Sequence, residues 1–426
     1  MAKINFFNDL GINSFLTEKL KERSIEKPTD IQSLVIPKLL ANNLPANNPL
    51  TNDLPAYNPP ENKKIIFRSA TGTGKTFAYL LPVLHLLSSC ENRGAPTVLI
   101  CAPTLELCSQ IKAEIDFLFP SSTAWMSTML LIGSVNLEKQ IDTLKRTKPV
   151  IVIGNPGRLL VLAKMGKLKF HNLRFLILDE ADRLTAQECL EETKELLKRI
   201  KHEKINAKDS LTAAACSATV SGKTGEQLGP LFKDAEVLES ENNEILRERI
   251  EHWALFSEKR RKTQTLRSLL AALKAKKKRI KALVFTSKGD EAALVLSRLQ
   301  YHHVNAAGLF GKAGKKPLSG AQRKEALDAF RGGKVDVLVS TDLAARGLDV
   351  FGITHVIALD VPSDSEIYIH RCGRTARAGK RGVMITVGDA VQMRLLVSLE
   401  KKLKIRVQPK ELYQGMVLQI NNEEIE

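Results

Sequence analysis

The stretch Ile65-Ile66-Phe67-Arg68-Ser69-Ala70-Thr71-Gly72-Thr73-Gly74-Lys75-Thr76 decides the fold class of this chain. The apolar run at its start reads as a strand, and a helical pattern covers residues 77–87 behind it. A strand, a glycine-rich turn and a helix in this order are typical of a phosphate-binding loop in an α/β domain. The sequence therefore predicts a nucleotide site here, in preference to a chance glycine-rich turn.

The residue types in this loop suit polyphosphate chemistry. Glycines let the backbone curl so that its N–H groups face the phosphates, Lys75 can reach the β and γ oxygens, and the Thr76 hydroxyl can ligate Mg²⁺. The predicted nucleotide contacts are Thr71, Gly72, Thr73, Gly74, Lys75 and Thr76. The general pattern begins with glycine, and Ser69 stands in its place.

A second chemical signal is the apolar run of residues 175–178, which leads directly into Asp179-Glu180-Ala181-Asp182. A buried strand that ends in acids is suited to hold the Mg²⁺ of ATP through Asp179 and to orient or deprotonate the attacking water through Glu180. Taken alone, an acidic helix N-terminus is a serious alternative. The phosphate-binding loop upstream favours the catalytic interpretation.

Short β-branched runs recur along the whole chain and separate into two series. They are residues 65–67, 98–102, 150–153 and 175–178, then 282–285, 335–339, 356–359 and 383–386, with helical patterns such as 289–299 between them. Such runs are typical of buried parallel strands, so the sequence predicts two α/β domains in tandem. A linker is predicted at residues 238–249, and an exposed loop rich in Pro and Asn at 42–62.

The composition excludes some protein classes. No run of 18 apolar residues is present, so no membrane span is expected, and the six scattered cysteines show no zinc or redox pair. They indicate reduced thiols in a cytoplasmic protein.

Basic residues exceed acidic ones by 17, and residues 241–426, with 34 basic and 21 acidic side chains, carry +13 of this excess. This charge favours a polyanionic partner, although the basic runs 259–262 and 276–279 are equally well explained as solvated surface.

A third motif is His370-Arg371-Cys372-Gly373-Arg374-Thr375-Ala376-Arg377-Ala378-Gly379. Taken alone, it could be a solvated basic turn. If the second domain closes on the first, Arg374 and Arg377 could reach the γ-phosphate, where guanidinium groups stabilise transition-state charge.

Together these motifs resemble the DEAD-box RNA helicases, whose name Asp179 to Asp182 spells. The resemblance covers about residues 7–388. Lys27-Pro28-Thr29-Asp30-Ile31-Gln32 looks like the adenine-recognising Q motif, and Phe7 lies where the family places an aromatic ring against adenine. Lys27, Gln32 and Phe7 are therefore expected in the nucleotide site.

The resemblance also implies an RNA grip in each domain. In domain 1 it involves Pro103, Thr104, Gly133, Pro156, Gly157 and Arg158, and in domain 2 Arg323 and Thr341. Gly347 and Asp349 are expected to face the nucleotide. Coupling between the ATP and RNA sites is implied for Ser217, Thr219, Asp182 and His370.

Four residues depart from the family pattern. Leu105 replaces the usual Arg, Ser134 the second Gly, Asn155 the usual Thr, and Gly320 the usual Gln before Arg323. All four belong to the expected RNA grip, which is therefore less firmly predicted than the ATP site.

The sequence thus predicts two RecA-like domains, 1–241 with the ATP-binding motifs and 242–412 as the helicase C-terminal domain, followed by a short acidic tail at 413–426. The implied function is ATP-dependent RNA helicase activity, with ATP and Mg²⁺ as cofactors and RNA held largely through its backbone. A monomer without a membrane partner is expected, with protein partners for targeting. An RNA-dependent ATPase acting as a clamp without productive unwinding is the alternative, and a non-catalytic binding scaffold a third interpretation.

Overall fold

The structure is a computed structural model and describes most of the chain. The described residues are 6–40, 63–69, 73–87, 96–119, 127–205, 210–217, 226–239, 248–276, 279–310, 319–345, 350, 352–376 and 380–420. Two compact units are present, Met1–Ser240 and Glu241–Glu426. The loop predicted at 42–62 and most of the predicted linker lie outside the described residues.

The first unit is built on a seven-stranded parallel sheet with the order β3-β4-β2-β5-β6-β1-β7. Its strands are β1 Lys64–Arg68, β2 Val98–Cys101, β3 Thr128–Leu131, β4 Ile151–Gly154, β5 Phe175–Leu178, β6 Thr212–Ser217 and β7 Glu236–Glu239. Leu238 and Glu239, predicted as the start of the linker, therefore end the edge strand β7.

Helices cover both faces of this sheet. They are α1 Ser14–Glu22, α2 Asp30–Leu40, α3 Lys75–Leu87, α4 Leu105–Leu118, α5 Leu137–Thr147, α6 Pro156–Lys164, α7 Ala181–Leu184 and α8 Leu190–Ile205. Alternate strand residues point to opposite faces, so Ile65 and Phe67 join the core beneath α3, while Ile66 joins the core beneath α8. Burial on both faces explains why these strands are continuous apolar runs.

The second unit contains an eight-stranded sheet with the order β10-β11-β9-β12-β13-β8-β14-β15. Its strands are β8 Ile250–Phe256, β9 Ala282–Thr286, β10 Ala306–Leu309, β11 Val337–Thr341, β12 His355–Ala358, β13 Gly382–Gly388, β14 Val407–Tyr413 and β15 Met416–Gln419. Neighbouring strands are parallel except β14 and β15, which are antiparallel.

The helices of the second unit are α9 Lys262–Lys276, α10 Gly289–Tyr301, α11 Gly320–Arg331, α12 Asp342–Ala345, α13 Ser365–Cys372 and α14 Ala390–Leu403. Two hydrophobic cores again lie on opposite faces of the sheet. The predicted fold class of two mainly parallel sheets flanked by helices is confirmed, and each of the eight predicted strands is present to within two residues at either end.

The predicted acidic tail at 413–426 needs correction, because ordered strand continues to Gln419. Tyr413 ends β14, which pairs with β8, and β15 then pairs back along β14. The turn between them uses Gln414 and Gly415 with φ of 46° and 76°, as a tight hairpin requires. Leu412 and Val417 pack against the core, so the acidic residues that suggested a tail follow a structured hairpin.

The helices were also compared with the requirements of a membrane span. Within the described ranges, none combines the necessary length with sufficient apolar character.

Candidate functional site

The phosphate-binding loop begins where β1 ends. The Ser69 hydroxyl donates to the Thr73 hydroxyl at 2.6 Å, which closes the loop on itself, and Gly74 has a φ of +87°. A Cβ at Gly74 would lie 2.4 Å from Nε2 of Gln32, so both the backbone angle and the close approach require glycine. Thr71 and Gly72 lie outside the described residues.

Lys75 is the first residue of α3, and its ammonium group points back into the loop. Its Nζ donates to the carbonyl of Ser69 at 2.7 Å. Burial lowers the pKa of Lys75, and the nearby acidic groups, including Asp179 and Glu180, oppose this shift. An incoming anion would stabilise the charged form further. Thr76 follows in the first turn of α3.

Asp179 follows β5 and is only 3% exposed. Its Oδ2 accepts from the Tyr79 hydroxyl at 2.8 Å, and its Oδ1 accepts from the Cys216 thiol at 2.8 Å and from the Glu180 backbone N–H at 2.9 Å. Burial raises the pKa of Asp179, while the hydrogen bonds from Cys216 and Tyr79 lower it. The carboxylate is therefore held in one orientation at the carboxyl edge of the sheet.

Glu180 adopts a left-handed backbone conformation with a φ of 51°, which is uncommon for a residue other than glycine. Its side chain is buried, and Oε2 accepts no hydrogen bond, although Arg183 Nε lies 3.5 Å away. A strained backbone that presents a buried carboxylate oxygen is typical of a functional position. Asp182 lies in the next turn, where its carboxylate accepts from the Arg183 backbone N–H at 3.1 Å.

Two strand ends join the loop to the rest of the site. Ser217, at the end of β6, is fully buried, and its carbonyl accepts from the Ser69 backbone N–H at 3.2 Å. Because Cys216 also bonds to Asp179, β6 contacts both the phosphate-binding loop and the acidic motif. Thr219 lies outside the described residues.

The residues predicted to recognise adenine have different environments. Gln32 is 2% exposed; its Oε1 accepts from the Thr29 backbone N–H at 2.9 Å and its Nε2 donates to the Gly74 carbonyl at 3.0 Å. One amide hydrogen and one lone pair remain beyond these two bonds. Phe7 is also 2% exposed and belongs to the core, whereas Phe6 is 54% exposed, and Lys27 is exposed.

Two segments predicted to grip RNA in the first unit meet at Arg158. Its guanidinium donates to the Gly133 carbonyl at 3.0 Å and to Gln140 Oε1 at 3.1 Å. Gln140 is 3% exposed and donates in turn to the carbonyl of Ile132 at 3.1 Å. The structure therefore brings Gly133 and Arg158 together.

The other predicted RNA contacts of this unit lie at helix starts. The Thr104 hydroxyl caps α4 by accepting from the Leu107 backbone N–H at 3.2 Å, directly after Pro103. Pro156 and Gly157 begin α6, which puts backbone N–H groups at the carboxyl edge of the sheet. Helix N-termini of this kind suit phosphate binding.

The second unit holds the remaining candidates. Thr341 ends β11 and caps α12, His370 is buried in α13, and Arg323 lies in α11. Arg374 is 6% exposed, and its Nε donates to the His370 carbonyl at 3.3 Å. Gly347, Asp349 and Arg377 lie outside the described residues.

Comparison with known proteins identifies the family. The model of the DEAD/DEAH box helicase family matches residues 29–228, and that of the helicase conserved C-terminal domain matches residues 261–379. This chain belongs to the DEAD-box family of ATP-dependent RNA helicases. The resemblance drawn from its motifs is confirmed.

Two curated relatives match over nearly their whole length. The DEAD-box ATP-dependent RNA helicase CshC of Bacillus cereus is 30% identical over 403 residues, which cover 94% of this chain and 92% of that protein. The probable ATP-dependent RNA helicase YfmL of Bacillus subtilis is 30% identical over 92% of this chain and 93% of its own length.

Solved structures agree on the fold. S. cerevisiae Dbp5 bound to RNA and ADP BeF3 superposes with a TM-score of 0.77 at 24% identity, covering 96% of both chains. Mss116p bound to ssRNA and AMP-PNP gives a TM-score of 0.81 at 24% identity, covering 97% of this chain and 80% of that one. Both units of this DEAD-box protein therefore have the expected RecA-like architecture.

The structure also adds residues that the motif analysis missed. Tyr79 and Cys216 orient Asp179, and Gln140 supports Arg158. Tyr79 lies four residues after Lys75 on α3, so the helical period offered a signal for it, whereas Cys216 and Gln140 are joined to their partners only by folding.

In the second unit of this DEAD-box protein, the structure reveals a further residue, Arg371, which is 2% exposed. It forms two bonds of 2.7 Å with the carboxylate of Asp342 and a third, of 3.0 Å, with Asp360. Burial opposes its charge, but these bonds and charges outweigh burial and raise the pKa of Arg371 above its ordinary value. Arg371 thus ties α13, the helix before Arg374, to α12 and to the end of β12.

Proposed function

We propose that this DEAD-box protein hydrolyses ATP when RNA is bound and uses the cycle to open short RNA duplexes or remodel ribonucleoprotein. The observation that carries the proposal is the grouping of Lys75, Asp179 and Glu180 at the carboxyl edge of the first sheet, with Ser217 bonded to the same loop. This edge is where open α/β sheets bind their ligands.

In the proposed ATP site, Lys75 neutralises charge on the β- and γ-phosphates, and Glu180 orients or deprotonates the attacking water. Asp179 and Thr76 would hold Mg²⁺. The donor set fits this ion, because a carboxylate and a hydroxyl are hard oxygen ligands and Mg²⁺ bound with a nucleotide needs only one or two protein carboxylates. When bound, the ion would neutralise charge that builds on the phosphate oxygens.

The nucleotide base is proposed to meet the Q motif. Gln32 has one donor and one acceptor left for adenine, and it is also hydrogen-bonded to the phosphate-binding loop at the Gly74 carbonyl. Phe7 is only 2% exposed, so its proposed contact with the base uses the small part of the ring that reaches the surface. The exposed Lys27 is proposed to contact the nucleotide as well, and Gly347 and Asp349 are proposed to contact it from the second unit.

Catalysis is proposed to need both units. Arg374 and Arg377 would supply positive charge to the γ-phosphate in the closed state, with Asp182, His370, Ser217 and Thr219 coupling this closure to RNA. The buried ion pair of Arg371 with Asp342 supports the idea, because it fixes the base of the segment that carries Arg374.

RNA is proposed to lie along Pro103, Thr104, Gly133, Pro156, Gly157 and Arg158 in the first unit and Arg323 and Thr341 in the second. The backbone N–H groups at the starts of α4 and α6 suit phosphates and carry no base information, so sequence-independent binding is expected. Protein partners for targeting, a monomeric state and a cytoplasmic location remain predictions of the sequence.

The deciding experiment measures ATP turnover with and without single-stranded RNA, together with displacement of a short labelled RNA strand. We expect RNA-stimulated turnover and ATP-dependent displacement. Glu180→Gln should lose both, while the exposed control Glu191→Gln should keep both. RNA-stimulated turnover without displacement would favour a clamp instead, and turnover that ignores RNA would contradict the proposal altogether.

A further inference from the structure

A basic pocket lies in the second unit, and no residue of the nucleotide or RNA motifs lines it. It has a volume of about 260 Å³ and is lined by the start of α9, the turn before it and the end of α10. Three arginines line it, Arg260, Arg267 and Arg298, together with His302 and the polar side chains of Thr263 and Gln264. Thr341 and Arg323, the proposed RNA contacts of this unit, are not among its lining residues.

The charge of this pocket is uncompensated. Other arginines of the second unit have acidic partners: Arg261 lies 3.5 Å from Glu258, and Arg331 lies 3.7 Å from Asp328. Across the described residues, by contrast, no carboxylate forms an ion pair with Arg260, Arg267 or Arg298. Three guanidinium groups around one cavity repel each other, and an anion in the cavity would relieve that repulsion.

One hydrogen bond prepares the pocket for a ligand. Arg267 Nη1 donates to His302 Nδ1 at 2.9 Å. The ring nitrogen must accept in this bond, so the neutral His302 carries its proton on Nε2 and can donate. The bond also fixes the guanidinium of Arg267 and leaves its other N–H groups available for phosphate oxygens.

An exposed aromatic ring beside the pocket narrows the class of ligand. Tyr301 is 79% exposed, and its ring packs edge-on against the ring of His302, with 5.2 Å between the centroids. Arginines that hold phosphates next to an aromatic ring that can stack on a base are the usual means of binding single-stranded nucleic acid. An acidic peptide would use the arginines but would leave Tyr301 without a role.

We propose that this pocket is a second RNA site, at which Arg260, Arg267 and Arg298 bind backbone phosphates and Tyr301 stacks on a base of single-stranded RNA. The inference rests on the proposed function, since it assumes that RNA is the substrate. The pocket would bind the part of the RNA strand that extends beyond the proposed RNA contacts of the two units. Thr263 and Gln264 offer hydroxyl and amide groups to the ribose or phosphate at the same place.

The test compares two RNAs as activators of ATP hydrolysis: the shortest oligouridine that stimulates turnover fully, and the same strand extended by about 16 nucleotides, the upper range of such sites. In the wild-type protein, the extension should lower the half-saturating RNA concentration by about tenfold, the scale of one stacking contact with its phosphates. Arg267→Gln with Arg298→Gln should abolish this advantage and leave the kcat on the short RNA unchanged.

Two further variants test the role of Tyr301 and control for the loss of one positive charge. Tyr301→Ala alters a solvent-exposed side chain and should also reduce the advantage without unfolding, whereas Arg261→Gln removes the same charge from a paired neighbour and should keep it. An undiminished advantage in the double variant overturns the proposal. If polyglutamate binds the wild-type protein and not that variant while the advantage persists, the pocket serves an acidic protein. Failure of any RNA to stimulate the wild-type protein would instead contradict the proposed function.

Discussion

At the scale of single residues, the proposed ATP site depends on groups that hold its acidic side chains in place. Asp179 is buried, and burial alone would favour its neutral form, which binds a cation poorly. The Tyr79 hydroxyl and the Cys216 thiol offset this by donating to its two oxygens. Both donors come from elements that contact the phosphate-binding loop, so the carboxylate and the loop are positioned together.

Tyr79→Phe should therefore weaken the hold on Asp179 without enlarging or emptying the core. Loss of one hydrogen bond to a buried carboxylate should lower the free energy of unfolding by about 1–3 kcal/mol. We expect the Mg²⁺ concentration for half-maximal ATP turnover to rise several-fold, and thermal unfolding to begin earlier.

The matched control is Tyr368→Phe in the second unit. It removes a buried hydroxyl that is bonded to His252 of the same unit at 2.9 Å. It should lower stability and leave the Mg²⁺ dependence unaltered. A Tyr79→Phe protein with the wild-type Mg²⁺ requirement would show that Tyr79 only packs.

Arg374 should separate binding from catalysis, because it belongs to the second unit and is proposed to act on transition-state charge. Arg374→Ala should reduce RNA-stimulated single-turnover hydrolysis by about 10³-fold, the lower end of what an arginine finger supplies, with little change in ATP affinity measured without RNA. Lys75→Ala should damage both quantities.

The control is Arg381→Ala, which removes one positive charge from an exposed residue in the same stretch of chain. If Arg374→Ala hydrolyses ATP at a rate near that of the wild type, the second unit contributes RNA binding and no catalytic group.

At the scale of elements, the terminal hairpin has a structural role that its composition does not suggest. β14 pairs with β8 along four residues, and without it β8 would become an edge strand with unpaired N–H and C=O groups. Leu412 and Val417 pack on the core, and Lys410 Nζ lies 5.3 Å from the Trp253 ring centroid.

Truncation after Arg406 should consequently destabilise the second unit. Loss of the partly buried apolar side chains of the hairpin should cost about 3 kcal/mol, and the bared edge should promote aggregation. Thermal unfolding and light scattering measure the two effects.

Truncation after Ile420, which removes only the last six residues, is the control and should behave as the full chain does. Equal stability of the two truncated proteins would mean that the hairpin contributes nothing to the fold.

At the scale of the whole molecule, charge is distributed unevenly, with +13 of the net +17 in residues 241–426. Most of the described salt bridges join exposed side chains and contribute little to stability, while Arg371 forms a buried network. The excess positive charge is therefore better explained by binding than by folding.

The RNA concentration for half-maximal stimulation should rise steeply with salt. For single strands, the logarithm of affinity falls with the logarithm of salt concentration by about 0.7 for each phosphate contacted. Titrations between about 50 and 200 mM salt at saturating ATP measure this slope, and kcat at saturating RNA should stay nearly constant. An RNA requirement independent of salt would indicate that the basic surface does not contact phosphates.

Eight strands, the phosphate-binding loop and the acidic motif could be predicted from the sequence, because the residues of each element are neighbours along the chain. Buried parallel strands are continuous apolar runs, and the loop needs a glycine at the φ of +87° of Gly74, so local chemistry is enough to predict them. Short or mixed strands such as β3, β8 and β10 carry too few apolar residues in a row for the same inference.

The contacts between distant side chains could not be predicted in this way. Cys216 lies 37 positions from Asp179, Arg371 lies 29 from Asp342, and the arginines of the basic pocket come from α9, from α10 and from the turn before α9, so no local pattern joins them. The hairpin at the C-terminus was missed for the same reason, since an acidic sequence indicates a tail until β8 is seen to need a partner along its edge. Spacing along a chain fixes helices, strands and turns, whereas contacts between elements follow from packing, which only the folded molecule expresses.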